Sequence, residues 1–210
     1  MERDALSRLN DRAVTAMELG AETRNVEFKR GAPLDSLKYK VVRAALAMAN
    51  LRDGGTLIIG MPESSDDTAR GVSTSDGGSY EQDAVLALVN SFAASPIELY
   101  IVRFPFEDVD YVFMHVLPFR RAPIICRKNT PDNTAKNERL EAACLYVRIA
   151  EDKIETSRVR TPAQMEELLE MATEQRAREL LSSAQRIGFR PPEDARRHFD
   201  DELGGLRDLF

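Results

Sequence analysis

Apolar residues recur along the chain at two different spacings, which separate predicted helices from predicted strands. Apolar positions three and four residues apart indicate helices with one buried face, at residues 3–19, 37–51, 79–94 and 162–187. Two of these helices open with a capping box, in which a hydroxyl side chain and a glutamine three residues later bond to each other's backbone. The boxes are Ser79 with Gln82 and Thr161 with Gln164, the second reinforced by Pro162 at the first helical position.

Alternating or continuous apolar runs between these helices indicate β-strands. In residues 24–29, Val26 and Phe28 are expected to face the core, which leaves Glu27 and Lys29 on the other face. The apolar run at residues 56–60 is typical of a central strand covered on both sides. Further strands are predicted at residues 70–72, 97–106, 111–118, 123–128 and 144–149.

The order of these elements predicts one α/β (α+β) domain in which helices pack on a single mixed β-sheet. The domain is expected to cover residues 1–160, and a helical extension over residues 161–210 is expected to pack on it or on a partner. A hydrophobic fraction of 43% with 30% charged residues supports a real core and excludes a disordered tail or a fibre.

The sequence also favours a cytoplasmic protein without a membrane span. No run approaches the ~18 consecutive apolar residues of a spanning helix. The charged start at residues 1–4 is followed by no apolar signal segment. Cys126 and Cys144 form no CxxC pair, so reduced thiols are expected.

Charge is distributed unevenly along the chain. The 29 basic and 35 acidic residues give a net charge of −6, yet residues 118–160 hold ten basic and six acidic residues, a net of +4. Such a stretch is a candidate phosphate-contacting surface, and an ordinary solvated face is the alternative. Arg148 alternates with Val147 and Ile149, which predicts that its side chain leaves the sheet on an exposed face. The residues expected to hold a nucleic-acid backbone are Arg120, Arg121, Arg127, Lys128 and Arg148.

Glu22, Glu27 and Lys29 are the first candidates for catalysis. Glu27 and Lys29 are two residues apart in a predicted strand and share a face, and Glu22 can fold back toward Glu27 from the preceding turn. Two carboxylates about 5 Å apart repel by roughly 3 kcal/mol at an effective dielectric of 20, which a divalent cation or Lys29 would relieve. These are parts of a phosphodiester-cleaving site. The alternative is a solvated Glu–Lys face on an edge strand.

Glu63 is the third acidic candidate, because it follows the predicted strand at residues 56–60. The carboxyl end of a central strand is where ligands bind in α/β sheets. If the strands at residues 24–29 and 56–60 are neighbours, Glu63 can join Glu22 and Glu27. Asp66 and Asp67 are alternatives within reach, and a solvated acidic loop is the alternative to any site here.

Taken together, these residues resemble the Schlafen AlbA-type domain over about residues 18–172. Residues 22–29 look like its opening Glu-x-x-x-x-Glu-Phe-Lys motif, and residues 47–60 resemble its Ala-Phe-Ala-Asn…Gly-Gly…Ile-Gly-Val core. Arg70-Gly71-Val72 is similar to its next short strand. Leu145-Tyr146-Val147-Arg148 followed by Thr161-Pro162 looks like its closing segment.

The resemblance implies a mixed α/β domain that works on nucleic acid. Some Schlafen proteins are metal-dependent endoribonucleases that act on transfer RNA through three carboxylates. Carried over, these are Glu22, Glu27 and Glu63, which would bind Mg²⁺ or Mn²⁺. Lys29 would hold the scissile phosphate or steady the metal-bound water. The chain departs from the family at Met61-Pro62-Glu63, where Val-Asp-Asp is usual.

The leading hypothesis is therefore a metal-dependent nuclease that favours structured RNA, with Glu27→Ala abolishing cleavage and sparing the fold. One alternative is a non-catalytic nucleic-acid-binding or regulatory module. Another is a protein-interaction subunit of a larger complex. We also expect a homodimer or a hetero-complex through helices 3–19 and 162–187, unless both helices cover the sheet of a monomer.

Overall fold

The computed structural model describes residues 2–62, 69–150 and 153–187. The chain divides into two units, residues 1–172 and residues 173–210. In the described part, the α-helices are α1 (Glu2–Leu19), α2 (Leu34–Ala49), α3 (Thr74–Gly78), α4 (Gln82–Phe92) and α5 (Pro162–Arg186). The strands are β1 (Val26–Lys29), β2 (Gly55–Ile59), β3 (Leu99–Phe106), β4 (Val109–Val116), β5 (Tyr146–Ala150) and β6 (Ile154–Arg158).

Four of the strands form one mixed sheet in the order β1-β2-β4-β3. β1 and β2 are parallel, with Glu27 opposite Leu57, and the other neighbours are antiparallel. Parallel neighbours need a long crossover, and α2 supplies it between β1 and β2. β5 and β6 pair as a separate antiparallel ribbon. The predicted mixed α/β fold is confirmed, but the expected single sheet is not, since the described strands form a four-stranded mixed sheet and a separate two-stranded one.

The central strand β2 is buried along its whole length because helices cover both of its faces. Leu57 and Ile59 pack with the apolar face of α2, while Ile58 packs with Ala13 and Met17 of α1. This alternation follows from the two-residue period of a strand. The apolar face of α1 is therefore used within the chain, and it is not the free interface predicted for helix 3–19.

The β3–β4 hairpin turns through Glu107 and Asp108, whose φ angles are +50° and +62°. Two-residue turns with positive φ match the right-handed twist of the strands that they join. The sequence places the hairpin correctly, since residues 107–110 separate the two predicted strands.

Gly54 shows why glycine is required where α2 turns into β2. Its φ angle is +70°, and a Cβ atom there would lie 2.1 Å from the carbonyl oxygen of Val116. A left-handed backbone and a neighbouring strand at this distance both exclude a side chain.

Three local predictions are wrong or incomplete. Ser79 ends α3 instead of capping α4, and the Gln82 amide bonds to the backbone of Leu99 and Ile101. Residues 123–128 form only isolated bridges through Ile125 and Cys126, and residues 70–72 form no strand. The sequence does not predict β6, because most of its residues are polar and show no alternation of apolar and polar positions.

The capping box before α5 is confirmed: Gln164 N–H donates to Thr161 Oγ1, and Thr161 N–H donates to Gln164 Oε1, both at 3.3 Å. In the first unit, α5 buries Leu168 and Met171. No helix in the described ranges combines the length and the apolarity needed to cross a bilayer.

Candidate functional site

A polar cleft of about 320 Å³ lies where the turn before β1, the end of β1, α2 and the β5–β6 ribbon meet. Residues far apart in the sequence reach it because β1 and β2 are parallel neighbours and α2 crosses between them. Its charged lining consists of Glu22, Glu27, Lys29, Lys40, Arg43, Arg148 and Glu155. Four of the sequence candidates, Glu22, Glu27, Lys29 and Arg148, are therefore together.

Arg148 is buried, with 1% of its surface exposed, so the predicted exposure of its side chain is wrong. Tyr146 shares its face of β5 and Val147 lies on the other face, and both are buried. β5 thus has no solvent face at this point. The guanidinium turns inward and pairs through Nη1 with Glu27 Oε2, while Nη2 lies 3.4 Å from Glu22 Oε2. A phosphate cannot contact it in this arrangement.

A second set of bonds fixes the backbone around Arg148. Arg148 Nε donates to the carbonyl oxygen of Arg24 at 3.1 Å, and Arg24 Nε donates to that of Arg148 at 2.9 Å. Arg24 Nη2 also pairs with Glu167 Oε2 of α5 at 2.6 Å. These bonds join the turn before β1 to β5 and to the first part of α5. The position of Glu22 and Glu27 is therefore set by three separate segments.

Glu27 is held as a carboxylate by two cations. Burial would raise its pKa, but the charges of Lys29 and Arg148 outweigh burial and keep the pKa below its usual range. Lys29 Nζ lies 2.9 Å from Oε1, and Arg148 pairs with Oε2. Both carboxylate oxygens are therefore engaged by the protein itself.

Glu22 folds back onto the start of the sheet. Its Oε1 accepts the backbone N–H of Phe28 at 2.6 Å, and its Oε2 faces Arg148. The side chain of Glu22 remains 31% exposed, in contrast to 12% for Glu27. Glu22 and Glu27 thus meet at one guanidinium, with Glu22 nearer to solvent.

A divalent cation does not fit these two glutamates as they stand. All four carboxylate oxygens of Glu22 and Glu27 already face a donor from Phe28, Lys29 or Arg148. In the described ranges no three His, Cys, Asp or Glu side chains form a group that could hold a metal ion. Glu63, the third predicted ligand, lies outside the described residues. Binding of Mg²⁺ or Mn²⁺ stays a prediction.

The other predicted basic residues are not among the described residues that line the cleft. Arg120 pairs with Glu98 at 2.7 Å, and Arg127 donates to the carbonyl oxygen of Ser91 at 3.0 Å, near the end of α4. Lys128 and Arg121 are both exposed, and Lys128 Nζ lies 4.3 Å from the centre of the Phe92 ring. Their contact with a nucleic acid stays a prediction.

Sequence reasoning missed Lys40, Arg43 and Thr156 in the cleft lining. Lys40 and Arg43 are three residues apart on α2 and so lie on the same side of the helix. The signal was present in the sequence, since Lys40 and Arg43 are two of the three cations of α2 and share one side of a helix whose other positions are mostly apolar. Thr156 had no such signal, because β6 itself was not predicted.

The comparisons with known proteins agree with this architecture. The sequence profile of the family described as Schlafen, AlbA_2 matches residues 22–157, which is more than half of the chain. The chain belongs to the Schlafen AlbA_2 family. The resemblance inferred from the sequence motifs is thereby confirmed, and this family is often nucleic-acid related. No curated protein matches this family member.

Among solved structures, this Schlafen AlbA_2 chain is similar to the crystal structure of the DIP2311 protein from Corynebacterium diphtheriae. The identity is 15% and the TM-score is 0.50, over 78% of this chain and 32% of that chain. This chain therefore spans about a third of the length of that protein. At this identity the likeness shows a shared fold.

Proposed function

We propose that the chain binds nucleic acid by its phosphate backbone at this cleft. The observation that carries the proposal is the sign of the lining: four cationic and three acidic side chains, a net of +1, in a chain of net −6. A cleft of opposite sign to its protein concentrates counter-charged ligands. Membership of the Schlafen AlbA_2 family supports nucleic acid as that ligand.

The surplus positive charge comes from α2. Lys29 and Arg148 are balanced by Glu27 and Glu22, so the sign of the cleft is set by Arg43 and by Lys40, whose Nζ also lies 4.0 Å from Glu138 Oε1. Glu155 also lines the cleft but pairs with Lys153 at 2.8 Å. Phosphate contacts carry no base preference, so the preference for structured RNA rests on the family resemblance.

The test is the salt dependence of binding, measured by fluorescence anisotropy with labelled transfer RNA, single-stranded RNA and duplex DNA. Each neutralised phosphate adds roughly 0.9 to the log–log salt slope for duplex DNA and roughly 0.7 for single strands. Lys40→Met should reduce the slope by about one such step. Lys38→Met is the matched control, because residues two apart on α2 do not share a face.

An affinity that does not change with salt would overturn the proposal. The same titration with charge reversal at Arg120, Arg121, Arg127 and Lys128 tests whether the exposed basic stretch extends the contact. If only those four residues change the slope, the cleft is not the binding surface.

Metal-dependent cleavage of structured RNA is the second candidate. It is supported by the family resemblance and by the position of Glu22, Glu27 and Lys29 in one cleft, and it requires Arg148 to move off the two carboxylates so that a cation can reach them. The test is incubation of transfer RNA with Mn²⁺, with Mg²⁺ and with EDTA. Glu22→Gln should abolish cleavage. Glu98→Gln should not, because Glu98 pairs with Arg120 outside the cleft. Equal cleavage by parent and Glu22→Gln would exclude this site.

Self-association remains a prediction for α5 alone, since α1 covers the sheet. In the first unit, Met165 and Leu169 of α5 are 37% and 56% exposed. Light scattering at micromolar concentration, with and without RNA, measures the mass directly. A mass of one chain under both conditions would exclude a homodimer.

A further inference from the structure

Two buried polar atoms without a partner lie on residues that line the cleft. Arg43 Nε and Thr156 Oγ1 make no hydrogen bond within the described part of the chain. The other such atom there is Thr134 Oγ1, whose residue does not line the cleft. Buried donors of this kind are rare in native proteins, and an ion or water that completes them is a common reason.

The guanidinium of Arg43 is already fixed in place. Its Nη1 donates to the carbonyl oxygen of Asn137, and its Nη2 donates to that of Thr156 at 2.7 Å. The ring of Tyr146 lies 5.9 Å from the guanidinium carbon. Only Nε lacks an acceptor, so a ligand that meets it does not have to order this side chain. Preorganisation of this kind lowers the cost of binding.

We propose that Arg43, Thr156 and Lys40 form a subsite for one phosphate group of a polynucleotide. This inference rests on the proposed function and names the residues that would hold the backbone. The N–H of Arg43, the hydroxyl of Thr156 and the ammonium of Lys40 are all donors, and two of them belong to cations. Phosphate oxygens are acceptors that Arg, Lys and Thr side chains bind in nucleic-acid complexes.

The acidic neighbours leave this subsite positive. Glu155 lines the cleft and is engaged by Lys153, and Glu138 Oε1 lies 4.0 Å from Lys40 Nζ. Glu22 and Glu27 face Arg148. The apolar lining is limited to Phe28, Ala44 and Ile154, which offers little surface on which a base can stack. The subsite thus suits a phosphate and not a base.

Access to the two atoms requires a small movement of the cleft wall, since both are buried. Lys40 and Glu155 are long side chains in the same lining, 20% and 43% exposed. Rotamer changes of such side chains take place within nanoseconds. A local rearrangement of this size is ordinary on ligand binding.

Thr156→Val tests the subsite, because it removes only a hydroxyl that has no hydrogen-bond partner among the described residues. A hydrogen bond to a charged group corresponds to roughly ten- to a hundredfold in affinity, so labelled single-stranded RNA should bind the variant about tenfold more weakly. Thr134→Val is the matched control, as it removes the other buried unpartnered hydroxyl. Neither variant should lower the unfolding midpoint, and only Thr156→Val should weaken binding.

Calorimetry with inorganic phosphate and with 5′-AMP distinguishes the sources of the phosphate. If the parent binds RNA and Thr156→Val binds it equally well, the subsite is overturned while the proposed function stands. If the parent binds no RNA or DNA, the proposed function fails. In that event, the parent can still bind phosphate or 5′-AMP more tightly than Thr156→Val does. That result would show that the subsite takes a free phosphate compound, and it would overturn the assignment to a polynucleotide.

Discussion

Arg148 Nη1 donates to Oε2 of Glu27 across 121 residues of sequence, and this bond joins the β5–β6 ribbon to the edge of the four-stranded sheet. Arg148 is 1% exposed and the Glu27 side chain is 12% exposed. A buried pair of this kind contributes little net stability when complete, but the loss of one member leaves an unpaired buried charge. Removal of either residue alone is therefore expected to destabilise the fold.

Glu27→Ala is expected to destabilise the fold, by roughly 3–5 kcal/mol as measured for broken buried ion pairs. The reason is that Arg148 and Lys29 would lose the carboxylate that neutralises them. The spacing of the sequence alone predicts that this substitution spares the fold, and burial of the pair reverses that expectation. Urea unfolding followed by circular dichroism gives the free energy of unfolding.

The matched control is Glu98→Ala, which removes the exposed pair with Arg120 and should cost less than ~1 kcal/mol. The double variant Glu27→Gln with Arg148→Met should lose less free energy of unfolding than the two single variants lose in sum, since both charges are removed together. A cost for Glu27→Ala as small as that for Glu98→Ala would show that the pair is not desolvated.

How much of this could be predicted from the sequence depends on whether the signal is local. The hairpin turn, the buried strand β2 and the Thr161 capping box follow from patterns within a few residues, and all are present. The inward turn of Arg148 does not, because alternation gives the two faces of β5 without saying what covers each one. Pairing with Glu27 depends on a contact between distant segments, which one sequence does not reveal.

The cleft residues that the sequence did not predict were missed for the same reason. Lys40 and Arg43 are visible in the sequence as cations on one side of α2, but their meeting with Thr156 requires β6 to be known. Asn50, at the C-terminal end of α2, shows the same dependence on distant segments, because its side chain donates to the backbone carbonyl oxygens of Ile124 and Tyr146, 74 and 96 residues away.

His115 is expected to make the fold less stable as the pH falls. It is 2% exposed, bonds through Nδ1 with Thr56 Oγ1 at 2.9 Å, and burial lowers its pKa to about 4. Between pH 6.5 and 4 only the unfolded chain takes up this proton, so stability declines by roughly 1.4 kcal/mol per pH unit, about 3 kcal/mol in all. Below pH 4 this residue adds no further loss.

His115→Asn checks the assignment, because it keeps a short polar side chain but does not titrate. Between pH 6.5 and 4, the free energy of unfolding of this variant should change less with pH than that of the parent. Glu27, whose pKa is lowered, gives a separate loss at pH values below its unfolded pKa of about 4.5. Parallel profiles for parent and variant would assign the loss to other groups.

Gly54→Ala is expected to be far more damaging than Gly20→Ala. Both glycines have positive φ angles, +70° and +61°, so alanine costs roughly 1–2 kcal/mol at either position. A Cβ atom at Gly54 would also lie 2.1 Å from the Val116 carbonyl oxygen, whereas one at Gly20 meets nothing within 4 Å. Thermal unfolding of the two variants separates the conformational cost from the steric one. Equal losses of stability in the two variants would mean that β2 and β4 can move apart at Gly54 without a loss of free energy.

The last prediction concerns the metal. Arg148→Met removes the guanidinium that Glu22 and Glu27 share, which leaves the two carboxylates without their common donor while Lys29 stays beside Glu27. Their repulsion favours a divalent cation in its place. Mn²⁺ should therefore raise the unfolding temperature of Arg148→Met, and raise that of the parent much less. KCl at equal ionic strength controls for screening. If Mn²⁺ stabilises the parent just as strongly, the glutamates bind metal with Arg148 present, and the nuclease candidate becomes the better account of the cleft.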